Sequence, residues 1–242
     1  MKICVAQTRA VKGDIPRNID NHKKLIDLAV SSGAAVVIFP ELSLTGYEPT
    51  LAKELATRQD DSRLDVFQQI SDVKQVTIGV GVPIKNNSGI TISMILFQPH
   101  KARRMYSKKY LHADEEPFFV SGENFASLNV NQSDIALAIC YELSIPEHSE
   151  TAFKSGAKIY IASAVKSVRG IDKARKELAD IARKYSMTVL FSNSVGQADD
   201  FECAGKTSVW NSEGVLVGQL DDVSEGVLMI DMETQELVEK IL

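Results

Sequence analysis

Cysteine is scarce and unpaired in this chain. Cys4, Cys140 and Cys203 are odd in number and far apart, which argues against a disulfide framework or a Cys-x-x-Cys metal site. Histidine is sparse too: His22 and His100 lack metal-ligand spacing, and no metal or organic cofactor is expected. Lys and Arg number 27 against 32 Asp and Glu, a formal net charge of -5, with no basic stripe for nucleic acid. No window approaches the ~20 apolar residues of a membrane span. The opening MKICVAQTRAVKGD has no signal-peptide apolar run. These absences describe a soluble protein of a reducing cytoplasm, with neither nucleic acid nor membrane as partner.

What is present is ordinary globular composition, 44% apolar and 24% charged, ample for one large core in 242 residues. Short apolar runs alternate with helical patterns. KICVAQ (2–7) and AAVVIF (34–39) read as buried strands around a helix that carries Ile19, Leu25, Ile26 and Ala29 and ends at Gly33. VTIGVGV (76–82), GITISMILFQ (89–98) and RRMYSKK (103–109) read as an antiparallel meander. IALAIC, a helix over 146–155, KIYIAS (158–163), a helix over 171–185 and MTVLFSN (187–193) form a second strand–helix series, and hairpin strands within 207–231 close the chain. The whole, 1–242, reads as a single α/β domain with a mixed sheet.

The chemistry-bearing stretches sit where these strands end. Ser144-Ile-Pro-Glu147 has the pattern of a capping box, so Cys140 falls in the turn between a strand and a helix. There a thiol is either a nucleophile, with the Tyr141 N–H as an oxyanion donor, or one more small core residue, since free cysteines pack well. VVIFPELSLTGYEP (36–49) puts Glu41 at another strand end, followed by Tyr47. MYSKKYLHADEEPFFVSGEN (105–124) puts Lys108 near a third, with Glu115 seven residues on. An acid, an ammonium and a thiol brought together would make a catalytic set.

Taken together, FPELSLTGY, YSKKYL and ICYELSIPE resemble the signature regions of the nitrilase superfamily of carbon–nitrogen hydrolases, in order along the chain. The likeness continues through SNSVG (192–196) and GKTSVWNSEGVLVG (205–218). The resemblance implies a four-layer α-β-β-α sandwich without cofactor. It places a general base on Glu41, a catalytic lysine on Lys108 rather than Lys109, a nucleophile on Cys140 and a supporting glutamate on Glu115, with Glu116 as its alternative. Tyr141 and Tyr47 fall on the substrate and oxyanion side. The expected reaction is hydrolysis of a small amide or N-carbamoyl compound through a Cys140 thioester, as in the family's amidase-like branch. Nitrile hydrolysis or acyl transfer is the alternative on the same site. A homodimer or larger homo-oligomer is expected through 146–155 and 171–185.

Departures fall around this set. The family's arginine four residues after the cysteine is Ser144, its lysine-motif arginine and histidine are Ser107 and Tyr110, and ASAVKS (162–167) replaces a stretch that often carries tryptophan. Two other readings compete. A Cys–His hydrolase would use His148 or His112, but His148 falls in the helix after Cys140 and points elsewhere. A non-catalytic protein on the same fold would not need Glu41, Lys108 and Cys140 together.

Overall fold

The computed structural model describes residues 1–124 and 127–242. The first half contains β1 (Lys2–Gln7), α1 (Ile15–Ser31), β2 (Ala34–Ile38), the single turn α2 (Ala52–Leu55), α3 (Asp65–Lys74), β3 (Thr77–Asn86), β4 (Gly89–Phe97) and β5 (Arg104–Ser107). Then come β6 (Leu128–Val130), β7 (Ser133–Ile139), a 3-10 turn (Cys140–Ser144), α4 (Pro146–Lys154), β8 (Ile159–Ala164), α5 (Ile171–Tyr185) and β9 (Thr188–Asn193). A hairpin of β10 (Val195–Ala198) and β11 (Phe201–Ala204) precedes β12 (Ser208–Trp210), β13 (Leu216–Gln219), β14 (Gly226–Asp231) and β15 (Leu237–Ile241). No helix among the described residues is long and apolar enough to cross a membrane.

Two sheets result. One runs β15-β14-β1-β2-β3-β4-β5, the other β13-β12-β9-β8-β7-β6. Each has three parallel strands at its centre, β1, β2 and β3 in one and β7, β8 and β9 in the other. Strand alternation sorts the side chains into layers. Ile3 and Val5 of β1 face the other sheet, meeting Ile135, Leu137 and Ile161, while Cys4 and Ala6 face Leu25, Ile26 and Phe67 of α1 and α3. On the far side Ala136, Ala138 and Tyr160 pack against Ala152, Leu178 and Ile181 of α4 and α5. Three apolar layers between four slabs of structure are the α-β-β-α sandwich.

The helices form where sequence placed them, for local reasons. The Asp14 side chain accepts from the Arg17 N–H at 3.1 Å to start α1, and Gly33 past its end adopts φ +86°. Ile171, Ala174, Leu178, Ile181 and Tyr185 give α5 one buried stripe. Three features differ from the sequence reading. Ser144 does not cap α4; its hydroxyl donates to Glu177 Oε2 at 2.7 Å, and Ile145 occupies the cap position without a side-chain bond. Cys203 lies in β11, a strand outside those expected, and α3 and β15 join the elements already expected.

Hydroxyl groups lock the two sheets together. In the second sheet Ile139, Ser163 and Ser192 lie side by side. Ser163 Oγ donates across to the Phe39 carbonyl at 2.8 Å, and Ser192 Oγ donates to the Ala6 carbonyl at 2.6 Å. The carboxyl ends of β1, β2, β7, β8 and β9 therefore converge. β5 is antiparallel to β4 and β4 to β3, so β5 ends there too.

The loop that carries Glu41 is seated on β3 at a glycine. The Gly81 carbonyl accepts from the Leu44 N–H at 3.0 Å, and the Gly81 N–H donates to Ser43 Oγ at 3.3 Å. A Cβ at position 81 would lie 2.4 Å from the Leu42 nitrogen and 2.5 Å from the Pro40 oxygen, both backbone atoms. Gly81→Ala is therefore expected to destabilise the fold by about 1–3 kcal/mol through overpacking, read as a lower denaturant midpoint at unchanged slope. An unchanged midpoint would show that the loop yields freely.

Candidate active site

Glu41, Lys108 and Cys140 follow β2, β5 and β7 and meet where those strand ends converge. Lys108 is fully buried. Its Nζ donates to Glu41 Oε1 at 2.8 Å and to Glu115 Oε1 at 2.7 Å, and both carboxylates are as deeply buried. Its backbone is fixed as well: the N–H donates to the Ile92 carbonyl at 2.8 Å, and the carbonyl accepts from Gly122 N–H at 2.8 Å. A Cβ on Gly122 would lie 2.3 Å from the Ser107 Cβ, so only glycine lets the chain return this close to the lysine.

Glu115 is held from three sides. It accepts from Lys108, from the Tyr47 hydroxyl at 3.1 Å and from the His112 N–H at 2.8 Å. Glu116 is exposed, as is Lys109, whose ammonium lies over the Tyr110 ring at 5.3 Å. The geometry thus distinguishes each of these adjacent pairs by burial. Tyr106 and Tyr110 turn toward His148, the former at 2.9 Å and the latter edge-on.

Cys140 opens the 3-10 turn with φ +47°, a left-handed conformation unusual for a residue with a Cβ. Glu142 holds the turn in place. Its carboxylate is fully buried and accepts from the Ile139 N–H at 2.8 Å, the Lys109 N–H at 2.7 Å and the Tyr106 hydroxyl at 2.8 Å. One side chain thereby joins the cysteine turn to the lysine loop. His148 lies behind it, between the Tyr106 and Tyr160 hydroxyls, and burial lowers its proton affinity. A neutral His148 donates from Nε2 to Tyr106 and accepts at Nδ1 from Tyr160, a structural placement away from the thiol. His112 meets Tyr141 edge-on at 5.1 Å.

Burial governs the protonation states. It pushes the Cys140 thiol up to about 11, with Glu41 adding to the rise and Lys166 and Lys108 opposing it. Burial also lifts Glu41 above the ordinary carboxylate value, against the pull of Lys108. For Lys108 burial opposes the charge, yet Glu41, Cys140 and Glu115 outweigh it and the ammonium is held above its usual value. The resting thiol is therefore protonated at neutral pH. Glu41 Oε2 is buried with no hydrogen-bond partner of ordinary geometry, although the thiol is near enough to affect its titration. An unfilled acceptor beside an S–H is what a general base requires. A small cavity lined by Glu41, Tyr47, Val165, Ala198 and Cys203 adjoins the set.

The sequence model of the carbon–nitrogen hydrolase family matches residues 2–240. The chain belongs to that family. It is a carbon–nitrogen hydrolase. Among curated relatives, the hydrolase in the agr operon of Staphylococcus aureus is 26% identical over 98% of this chain and 93% of its own length. The (R)-stereoselective amidase of a Pseudomonas species is 23% identical over 83% of this chain and 73% of its own. The chain also matches glutamine-dependent NAD(+) synthetases, of which it spans under half: 42% of the Thermotoga maritima protein, at 21% identity. An amidase structure from Nesterenkonia sp. AN1 superposes with a TM-score of 0.86 at 21% identity, over 97% of this chain and 94% of that one. Two large mixed sheets in the same arrangement make this the nitrilase-superfamily fold.

One member of this hydrolase's site, Glu142, is not singled out by the sequence. Glu142 is visible in the sequence only as the acid two positions after Cys140, and its three bonds come from its own turn and from the Tyr106–Lys109 stretch of another sheet. Lys108→Met is expected to lower turnover at least about a hundredfold by removing an ammonium from the reacting atoms. The same change leaves two buried carboxylates unpaired, at a cost of about 3–5 kcal/mol in stability. Lys109→Met should change turnover by no more than about threefold, as an exposed charge. Turnover of both variants, with folding checked by circular dichroism, decides the register; a dead Lys109→Met would move it by one residue.

Proposed function

We propose that this hydrolase cleaves the C–N bond of small amides or N-carbamoyl compounds through a Cys140 thioester, with residues 1–242 acting as one catalytic unit. The observation that carries this reading is the buried Lys108 ammonium between Glu41 and Glu115, with a free Glu41 oxygen beside the thiol. Glu41 takes the proton from Cys140 as Sγ attacks the carbonyl carbon, and the carbonyl electron pair moves onto oxygen. Lys108 and the Tyr141 N–H stabilise that oxyanion, each donor contributing about 3–4 kcal/mol. The pair returns, the C–N bond breaks, and Glu41 protonates the departing nitrogen. Glu41 next takes a proton from water, which attacks the thioester and frees the acid and the thiol. Glu115 and Tyr47 hold Lys108 in place and border the substrate.

Support comes from the amidases among its relatives and structural neighbours, one of which carries an acrylamide adduct at its active-site cysteine. The chain's three free thiols suit a reducing cytoplasm. Self-association is proposed through α4 and α5, where Phe153, 46% exposed, stacks on Tyr185 at 5.2 Å.

Ammonia release from a panel of amides, ureido acids and nitriles is the direct test. Cys140→Ala is expected to abolish turnover on every substrate with the fold retained, while Cys4→Ala and Cys203→Ala keep the chemical step; full activity in Cys140→Ala would remove the mechanism. For assembly, light scattering at micromolar concentration should give at least a dimer mass and Phe153→Glu a monomer. A wild-type monomer would refute the interface.

A further inference from the structure

The cavity beside the general base is closed by side chains from three segments. Glu41 and Tyr47 line it from the loop after β2, Val165 from the end of β8 and Ala198 from the end of β10. Val165 and Ala198 belong to one small apolar cluster, and Tyr47 and Phe201 pack against that cluster. Among the described residues that line the cavity, Glu41 carries the only charge. The enclosed space is about 10 Å³, room for a single water-sized group.

The wall that carries Ala198 is tied down on every side. The β10–β11 hairpin is a two-stranded sheet of its own, bonded to segments that leave both large sheets. Its Val195 N–H donates to the Thr8 carbonyl past β1 at 3.1 Å, and its Ala204 N–H donates to the Lys166 carbonyl past β8 at 2.9 Å. Its tip is latched by Glu48, a buried carboxylate. Oε1 accepts from the Asp199 N–H at 3.3 Å, and Oε2 pairs with the Lys12 ammonium at 2.6 Å. Tyr47, next to Glu48, meets the Phe201 ring at 6.0 Å while its hydroxyl donates to Glu115. The hairpin is thereby held at a set distance from the ion cluster around Lys108, and the cavity between them cannot widen freely.

We propose that Val165 and Ala198 are specificity-determining residues, which close the acyl pocket one heavy atom beyond the carbonyl carbon, so that it takes formyl, acetyl or carbamoyl groups. The inference rests on the thioester reading above. With the carbonyl carbon at Cys140 Sγ and Glu41 taking the proton, the substituent on that carbon enters the cavity that Glu41 borders. A methyl or amino group is about the size of a water and fits. A longer chain must displace packed side chains, and each added methylene is expected to cost at least about tenfold in rate. A terminal carboxylate would face the Glu41 charge with no cation among the described lining residues to offset it.

The test follows acylation of Cys140 by p-nitrophenyl acetate and p-nitrophenyl butyrate, in which the sulfur bonds to the ester carbonyl carbon and nitrophenolate leaves. Nitrophenolate release gives the rate, and mass spectrometry locates the acyl group. Each rate is divided by that of glutathione with the same ester, which removes intrinsic reactivity. Wild type is expected to favour acetyl over butyryl at least about a hundredfold, two methylenes at about tenfold each. Val165→Ala should raise butyryl relative to acetyl at least about tenfold by enlarging the cavity, and Ala198→Val should slow acetylation at least about tenfold by filling it. The variants act in opposite directions, so one serves if circular dichroism shows the other unfolded. Turnover of acetamide and butyramide should follow the same order. Equal acylation of wild type by the two esters, or a preference that neither variant moves, overturns the inference and leaves the thioester reading standing. Absence of any acyl group on Cys140 overturns both.

Discussion

A buried ammonium is the constraint on which the rest of this structure depends. Taking the charge of Lys108 out of water costs several kcal/mol after relaxation, and only close carboxylates offset it. Glu41 and Glu115 supply them at 2.8 and 2.7 Å. They arrive from a different strand end and from the loop beyond the lysine itself, so the ion cluster exists only when both halves of the first sheet are in register. The nucleophile comes from the other sheet. Its position relative to the cluster is set by Ser163 and Ser192, whose hydroxyls reach backbone carbonyls across the sandwich, and by Glu142, which binds both the cysteine turn and the lysine loop.

Much of this was legible in the sequence because it is local. Strand alternation, the α5 stripe and the positions of Glu41, Lys108 and Cys140 just past apolar runs can be read one segment at a time. Pairing between neighbours needed the resemblance: nothing local separates Glu115 from Glu116, and burial alone does so in the structure. What stayed hidden is non-local. Ser144 has the side chain of a helix cap but finds a stronger acceptor in Glu177 on a distant helix. Cys203 sits among turn-forming residues, yet pairing with β10 draws it into a buried hairpin.

Burial and charge oppose each other throughout the site, and the balance differs by residue. The same low-polarity surroundings that raise the Cys140 thiol also raise Glu41, while the Lys108 ammonium pulls both back down. His22, below the Glu41 loop, shows the opposite outcome. It is stacked on Phe39 at 4.1 Å and bonded to Asn18 and Ser43, and burial drops its pKa to about 4, so it supports the loop as a neutral group.

The left-handed backbone at Cys140 bears on the history of such a chain. Holding φ near +47° with a side chain attached costs about 1–2 kcal/mol that glycine would not incur. Folding alone therefore favours glycine at position 140, and only turnover retains the cysteine. A descendant released from catalysis would gain stability by losing its nucleophile first, while Gly81 and Gly122, which the packing itself demands, would persist. Loss of function in this architecture should leave a recognisable trace: an intact, hardened sandwich with an empty elbow.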